Sequence, residues 1–371
     1  MPAFEHTARK RLSALKEQHL LRVIEPTEVT GAWVMREGEK LLSFSGNDYL
    51  GLSQDKTVLA AAEAALHEYG AGAGASRLVT GSHPLYATLE KQLAKMKGTE
   101  AACVFGSGYL ANIGLIAAIA GKDDLILADR LVHACMIDGI KLSGARFQRF
   151  KHNDLKDLER LLKDYRKQYK ECFILTETVF SMDGDLALLK KIQALAEKYN
   201  ATTITDDAHG LGIIENEVKA DIQMGTLSKA AGSYGGYVCA SKAVIDYLKT
   251  TARTLMFSTA LPPSVVGASV AALKMMAEDK NRAKKALFNA KIFTKAMGLP
   301  EAKSAIVPLI IGDAEIALAI SRKLQNEKFL VSAIRPPTVP EGTARLRFTF
   351  SALHSDTQVK NLAKTLRDIL A

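Results

Sequence analysis

Between about residue 100 and residue 240, short apolar runs alternate with stretches whose apolar residues recur at helical spacing, and no other feature restricts the fold as strongly. Such alternation predicts an α/β domain with a mostly parallel central sheet flanked by helices. The predicted strands are Ala101 to Phe105, Asp124 to Ala128, Ala145 to Phe150, Cys172 to Thr176, Thr202 to Thr205 and Gly236 to Ala240. Between them, Leu155, Leu158, Leu161, Leu162 and Tyr165 predict an amphipathic helix, with Asn153 and Asp154 as capping candidates. After Leu261-Pro262-Pro263 comes a helical stretch. Short strands (Ile306 to Ile311, Ala344 to Phe350) and a closing helix from about Asp356 then predict a smaller C-terminal α+β domain. The expected organisation is an N-terminal helical segment and arm over 1–45, a large domain over 46–264 and the C-terminal domain over 265–371.

The chain has 371 residues, 48% of them hydrophobic, enough for such a core. It contains no apolar run long enough to span a bilayer, and Met1 to Lys16 is a charged amphipathic stretch unlike a signal peptide, so a cytoplasmic location is expected. Cys103, Cys135, Cys172 and Cys239 lack the paired spacings of a metal or redox site and read as reduced structural thiols. A net charge of +9 favours acidic ligands such as coenzyme A or an acidic carrier protein. Nucleic-acid binding is not expected, because no recognised motif accompanies the charge.

Ligands of a parallel sheet collect at the carboxyl ends of its strands. After Phe105 the sequence Gly106-Ser107-Gly108-Tyr109 opens an apolar helix, which is either a plain tight turn or an anion site made of free N–H groups. The segment Asp206-Asp207-Ala208-His209-Gly210 sets a carboxylate and an imidazole three residues apart at a strand end. It reads as a helix cap with a hydrogen-bonded histidine, or as the holder of a heterocyclic cofactor whose ring nitrogen the aspartate keeps protonated. In Gly225-Thr226-Leu227-Ser228-Lys229 the lysine lies among small and apolar residues and is a candidate Schiff-base former, with Thr226 and Ser228 available to a phosphate. Near the C-terminus Arg345, Arg347 and Thr349 share one face of a strand. The arginines either face solvent or grip a carboxylate, and Arg335 is a further candidate.

In this order the motifs resemble the α-oxoamine synthase family of fold-type-I pyridoxal 5'-phosphate (PLP) transferases. The likeness runs through SGNDYLGL from Ser45, GAGASRLVTGSHPLYATLE from Gly72, GSGYLANIGLI from Gly106, ADRLVHAC from Ala128, TETVFSMDGD from Thr176, TDDAHGLG from Thr205, GTLSK from Gly225, FSTALPP from Phe257 and AIRPPTVPEGTARLRFTFSALH from Ala333. The resemblance implies that residues 46–264 bind PLP. It makes Lys229 the lysine joined to the cofactor, Asp206 the partner of the pyridine nitrogen, His209 and Ser181 the contacts of the ring oxygen, and His133 the residue stacked on the ring. It assigns the phosphate to Ser107, Gly108, Tyr109 and Thr226, and implies a homodimer in which Ser258 and Thr259 reach the neighbouring subunit's phosphate. Asn47 and Arg347 match the family's carboxylate-binding pair, with Arg335 as the second arginine.

Within the family, Ile334 to Arg347 resembles the member that joins L-alanine to a pimeloyl thioester, carried on coenzyme A or acyl carrier protein, more than it resembles glycine C-acetyltransferase. Three departures stand out: a short His209–Lys229 interval, Ala230-Ala231-Gly232-Ser233 after the lysine, and Leu186-Ala187-Leu188 without the usual proline. The first two bear on the acyl channel and leave the reaction class untouched.

Overall fold

The computed structural model describes residues 3–18, 20–215 and 218–371. Met1 and Pro2 of the charged N-terminal stretch, and Asn216 and Glu217 of the His209–Lys229 interval, lie outside the described residues. The chain forms two compact units.

The larger unit comprises Asp48–Ser181 and Asp185–Lys284. Its seven-stranded sheet has the order Ala101–Phe105, Gly236–Ala240, Ile222–Thr226, Thr202–Asp206, Cys172–Glu177, Leu125–Asp129, Arg146–Phe150. Only Gly236–Ala240 runs antiparallel to its neighbours. The six strands expected from sequence are all present. A seventh, Ile222–Thr226, was not expected, since Gln223, Gly225 and Thr226 interrupt its apolar character although all five residues are buried. Because Gly236–Ala240 returns alongside Ile222–Thr226, with Gly236 opposite Thr226, the connection carrying Lys229 stays at the carboxyl edge where Asp206 also ends its strand. The helix Leu155–Tyr165 forms as predicted, with Asp154 as its cap accepting from the amides of Lys156 and Asp157, and it buries Leu158, Leu161 and Leu162.

The smaller unit comprises Met1–Asn47, Met182–Gly184 and Lys285–Ala371. A sheet ordered Ile306–Gly312, Ala344–Thr349, Ser332–Ile334 packs with the helices Ala314–Asn326 and Asp356–Leu370 over a core that includes Phe44, Phe293, Phe348 and Phe350. The units depart from the boundaries expected at 46 and 265. The N-terminal strand Glu39–Ser43 pairs in parallel with Phe329–Leu330, which ties the arm to the C-terminal residues. Residues 265–284 fall in the larger unit, where the helix Pro263–Glu278 packs on Lys56–Tyr69. The solvent-facing alternative for the arginine strand is overturned: every residue of Ala344–Thr349 is buried, including Arg345 and Arg347, because both faces are covered.

The four cysteines are buried free thiols, and burial pushes each of them up to about 12. Among the described residues, no helix is long and apolar enough to cross a membrane.

Candidate active site

At the carboxyl edge of the large sheet lies a cavity of about 270 Å³ that gathers Ser107, Gly108, Tyr109, His133, Asp206, His209, Thr226 and Lys229. These residues, all singled out from sequence, line one space together with Ser228. The chain brings them there because strand ends and the following turns converge at this edge.

Ser107 caps the helix Gly108–Ile119, its Oγ accepting from the Leu110 amide at 3.1 Å. A Cβ on Gly108 would lie 3.2 Å from Thr226 Cβ and from Met224 Cε, so a bare backbone is what fits between helix and sheet here. Thr226 Oγ1 lies 2.8 Å from Ser228 Oγ and donates to the Gly235 carbonyl at 2.8 Å. The helix start and these hydroxyls make a cradle suited to a phosphate.

Asp206 ends its strand and is buried. Its Oδ1 accepts from the Ala208 amide and its Oδ2 from Asn112 Nδ2, both at 2.8 Å. A turn and not a helix follows Asp206, so it ends its strand at the edge of the cavity and caps no helix. The adjacent Asp207 takes a separate role, paired with Lys97 at 2.5 Å.

Lys229 Nζ lies 2.8 Å from His209 Nε2, and His209 Nδ1 lies 2.7 Å from the Tyr49 hydroxyl. His209 thus bridges Lys229 and Tyr49 through its two ring nitrogens. The loop after the lysine turns at Gly232, where φ is +62° and a Cβ would fall 2.3 Å from the Ser53 amide nitrogen; this close approach accounts for the glycine in Ala230-Ala231-Gly232-Ser233. His133 precedes the helix Ala134–Ser143, and its Nδ1 accepts from the Cys135 amide at 3.2 Å. Burial, then the charge of Lys229, lower its pKa against the opposing pull of Asp206, so it presents a neutral ring.

Ser181 follows the strand Cys172–Glu177, with its backbone near the Glu177 carboxyl group. Ser258 and Thr259 are not in this cavity. They line a small recess of the same unit with Gly106 and Arg77. In the smaller unit Arg347 Nη2 donates to Asn47 Oδ1 at 3.2 Å, so the expected carboxylate pair is in contact. Arg345 is engaged elsewhere, with Asp183 at 2.6 Å. Arg335 has its pKa lowered by burial and by the like charges of Arg22 and Arg322, and Arg22 donates to Thr338 Oγ1 at 3.0 Å.

Sequence reasoning missed Tyr49, Asn112, Cys135 and Glu177. Each lies within a stretch that carries the family likeness, but a lone polar residue in an apolar helix or strand carries no local signal of what it will touch.

The residues fit PLP. The phosphate cradle, a buried carboxylate for the ring nitrogen, a lysine in contact with a histidine, and a buried Glu177 Oε1 that has no partner among the described residues together supply the polar groups such a cofactor demands. Comparison with known proteins agrees. The family model for class I and II aminotransferases matches residues 39–366. The chain is 53% identical to 8-amino-7-oxononanoate synthase of Methylobacterium nodulans, over 99% of this chain and 97% of that protein. Among solved structures it resembles a serine palmitoyltransferase from S. paucimobilis with PLP and myriocin bound, at a TM-score of 0.91 and 27% identity, covering 98% and 96% of the two chains. It also resembles 8-amino-7-oxononanoate synthase from Francisella tularensis, at 0.75 and 28%, covering 89% and 98%.

The chain belongs to the class I and II aminotransferase family and has the fold-type-I architecture of PLP-dependent transferases. Within that family it groups with the 8-amino-7-oxononanoate synthases, which makes it an acyltransferase.

Proposed function

We propose that the protein condenses L-alanine with a pimeloyl thioester, on coenzyme A or acyl carrier protein, to give 8-amino-7-oxononanoate, carbon dioxide and the free thiol carrier, a step of biotin biosynthesis. The observation that carries this reading is the single cavity holding Lys229, Asp206, His209 and His133 in a chain 53% identical to an 8-amino-7-oxononanoate synthase. Bound PLP supplies an electron sink for negative charge at the carbon next to the substrate nitrogen.

The chain's own groups do the rest. Asp206, fixed by Asn112 and the Ala208 amide, keeps a proton on the ring nitrogen. Lys229 is the residue joined to the cofactor and, once released, the base that takes the α-proton from the amino acid; its contact with His209 orients it. His133 covers the ring, while His209 and Ser181 attend the ring oxygen. Ser107, Gly108, Tyr109 and Thr226 hold the phosphate. Asn47 and Arg347 bind the amino-acid carboxylate, for which a guanidinium fork already paired with an amide oxygen is well aligned. Arg335, crowded by two like charges, is the second arginine, since an incoming carboxylate relieves that repulsion. The protein acts in the cytoplasm as a homodimer, with Ser258 and Thr259 completing the partner's phosphate site.

The test is product identification. Protein incubated with PLP, L-alanine and pimeloyl-coenzyme A is expected to yield 8-amino-7-oxononanoate by mass spectrometry. Faster turnover of glycine with acetyl-coenzyme A would replace this reading with glycine C-acetyltransferase.

A further inference from the structure

Glu177 is the last residue of the strand Cys172–Glu177 and is only 2% exposed, yet it lines the same cavity as Asp206 and Lys229. It stands opposite Asp206 in the parallel register of the two strands. The backbone at His133 and at Ser181 lies near its carboxyl group and favours the ionised form. Its Oε1, by contrast, is buried without a hydrogen-bond partner among the described residues. Buried polar atoms in folded proteins find partners, so an orphaned oxygen beside a ligand cavity points to a group supplied by the ligand.

We propose that Glu177 is a positioning residue of the cofactor pocket: from the strand end opposite Asp206 it presents Oε1 to a polar group of the bound cofactor or substrate. This rests on the PLP reading above. Burial first, and the neighbouring Asp206 carboxylate second, push the Glu177 acid well above the usual carboxyl range, against the opposing pull of Lys229 and the backbone at His133 and Ser181. In the neutral form that burial favours, the acid accepts at one oxygen and donates from the other, so it can meet a polar group of a ligand.

Glutamine reproduces that arrangement without charge, and leucine keeps the volume while removing both functions. Glu177→Gln, Glu177→Leu and the unaltered protein would be prepared without cofactor, checked for folding by circular dichroism, and titrated with PLP while the visible absorption spectrum is recorded. Glu177→Gln is expected to bind PLP within about threefold of the unaltered protein and to give the same spectrum. Glu177→Leu is expected to bind at least about tenfold more weakly, with a displaced absorption maximum. Should Glu177→Leu fail to fold, Glu177→Asp, which withdraws the acid by one methylene, takes its place with the same expected loss. A Glu177→Leu protein equal to the unaltered one in affinity and spectrum overturns the proposal, as does a Glu177→Gln protein no better than Glu177→Leu. An unaltered protein that binds no PLP overturns the cofactor reading instead, so the two failures are distinguishable.

Discussion

Asn112 donates its side-chain amide to Asp206 Oδ2 at 2.8 Å, and the same nitrogen lies 3.0 Å from Cys135 Sγ. Asn112 belongs to the helix Gly108–Ile119, whose first residues line the cavity, and it is fully buried. One helix thus both shapes the cavity and orients the Asp206 side chain. Asn112→Leu leaves Asp206 with the Ala208 amide as its remaining contact of those described above. PLP binding is expected to weaken by about 1 to 3 kcal/mol, the cost of an unpaired buried acceptor, as read from cofactor dissociation constants.

Arg347→Ala removes the guanidinium that donates to Asn47. L-alanine affinity is expected to fall by about 1.5 to 3 kcal/mol while PLP binding is retained, since the lost contact is a charge-assisted one to the amino-acid carboxylate. Titration of the cofactor spectrum with L-alanine measures both. An unchanged alanine affinity removes Arg347 from the substrate site.

His152 ties the end of the strand Leu125–Asp129 to the Asp185 segment of the larger unit, with Nδ1 3.0 Å from Asp129 and Nε2 2.9 Å from Asp185. Burial pulls its pKa down, but the hydrogen bonds and charges of the two aspartates outweigh that and raise it to about 10. A raised pKa means that the stabilisation is complete below the unfolded value near 6.5 and fades as pH climbs through about 10. His152→Gln is therefore expected to cost about 3 kcal/mol at pH 6, with the gap from the unaltered protein narrowing toward pH 10 in denaturant titrations.

His354 behaves in the opposite sense. It is stacked on Phe44 at 4.1 Å, accepts from the Ser351 amide at Nδ1 and donates from Nε2 to the Ser43 carbonyl. Burial lowers its pKa to about 4 despite the Ser43 carbonyl. It contributes stability above pH 6.5 that is lost as pH falls through about 4, amounting to about 3 kcal/mol. His354→Gln is expected to flatten the decline in melting temperature between pH 6.5 and pH 4, whatever it costs at neutrality. A decline as steep as before would locate the acid sensitivity elsewhere.

The strands Ala101–Phe105 and Gly236–Ala240 and the helix Leu155–Tyr165 were legible to the residue, because apolar runs and helical spacing are local properties. The strand Ile222–Thr226 was not, because a fully buried strand needs no alternation and its glutamine, glycine and threonine read as a loop. Lys229, Asp206, His209 and His133 were found through ordered motifs, whose residue types already state their chemistry. What those motifs could not state is who holds them. Asn112 and Asp206 are 94 positions apart, and Glu177 stands beside Asp206 only once the strand ends are aligned. The sequence by itself determined the layered α/β domain and, through its likeness to a known family, the reaction class. The tertiary structure alone decided the burial of Glu177 beside Asp206, the pairing of Arg347 with Asn47 and the burial of Arg345, because burial and hydrogen-bond partners depend on neighbours that the chain supplies from a distance.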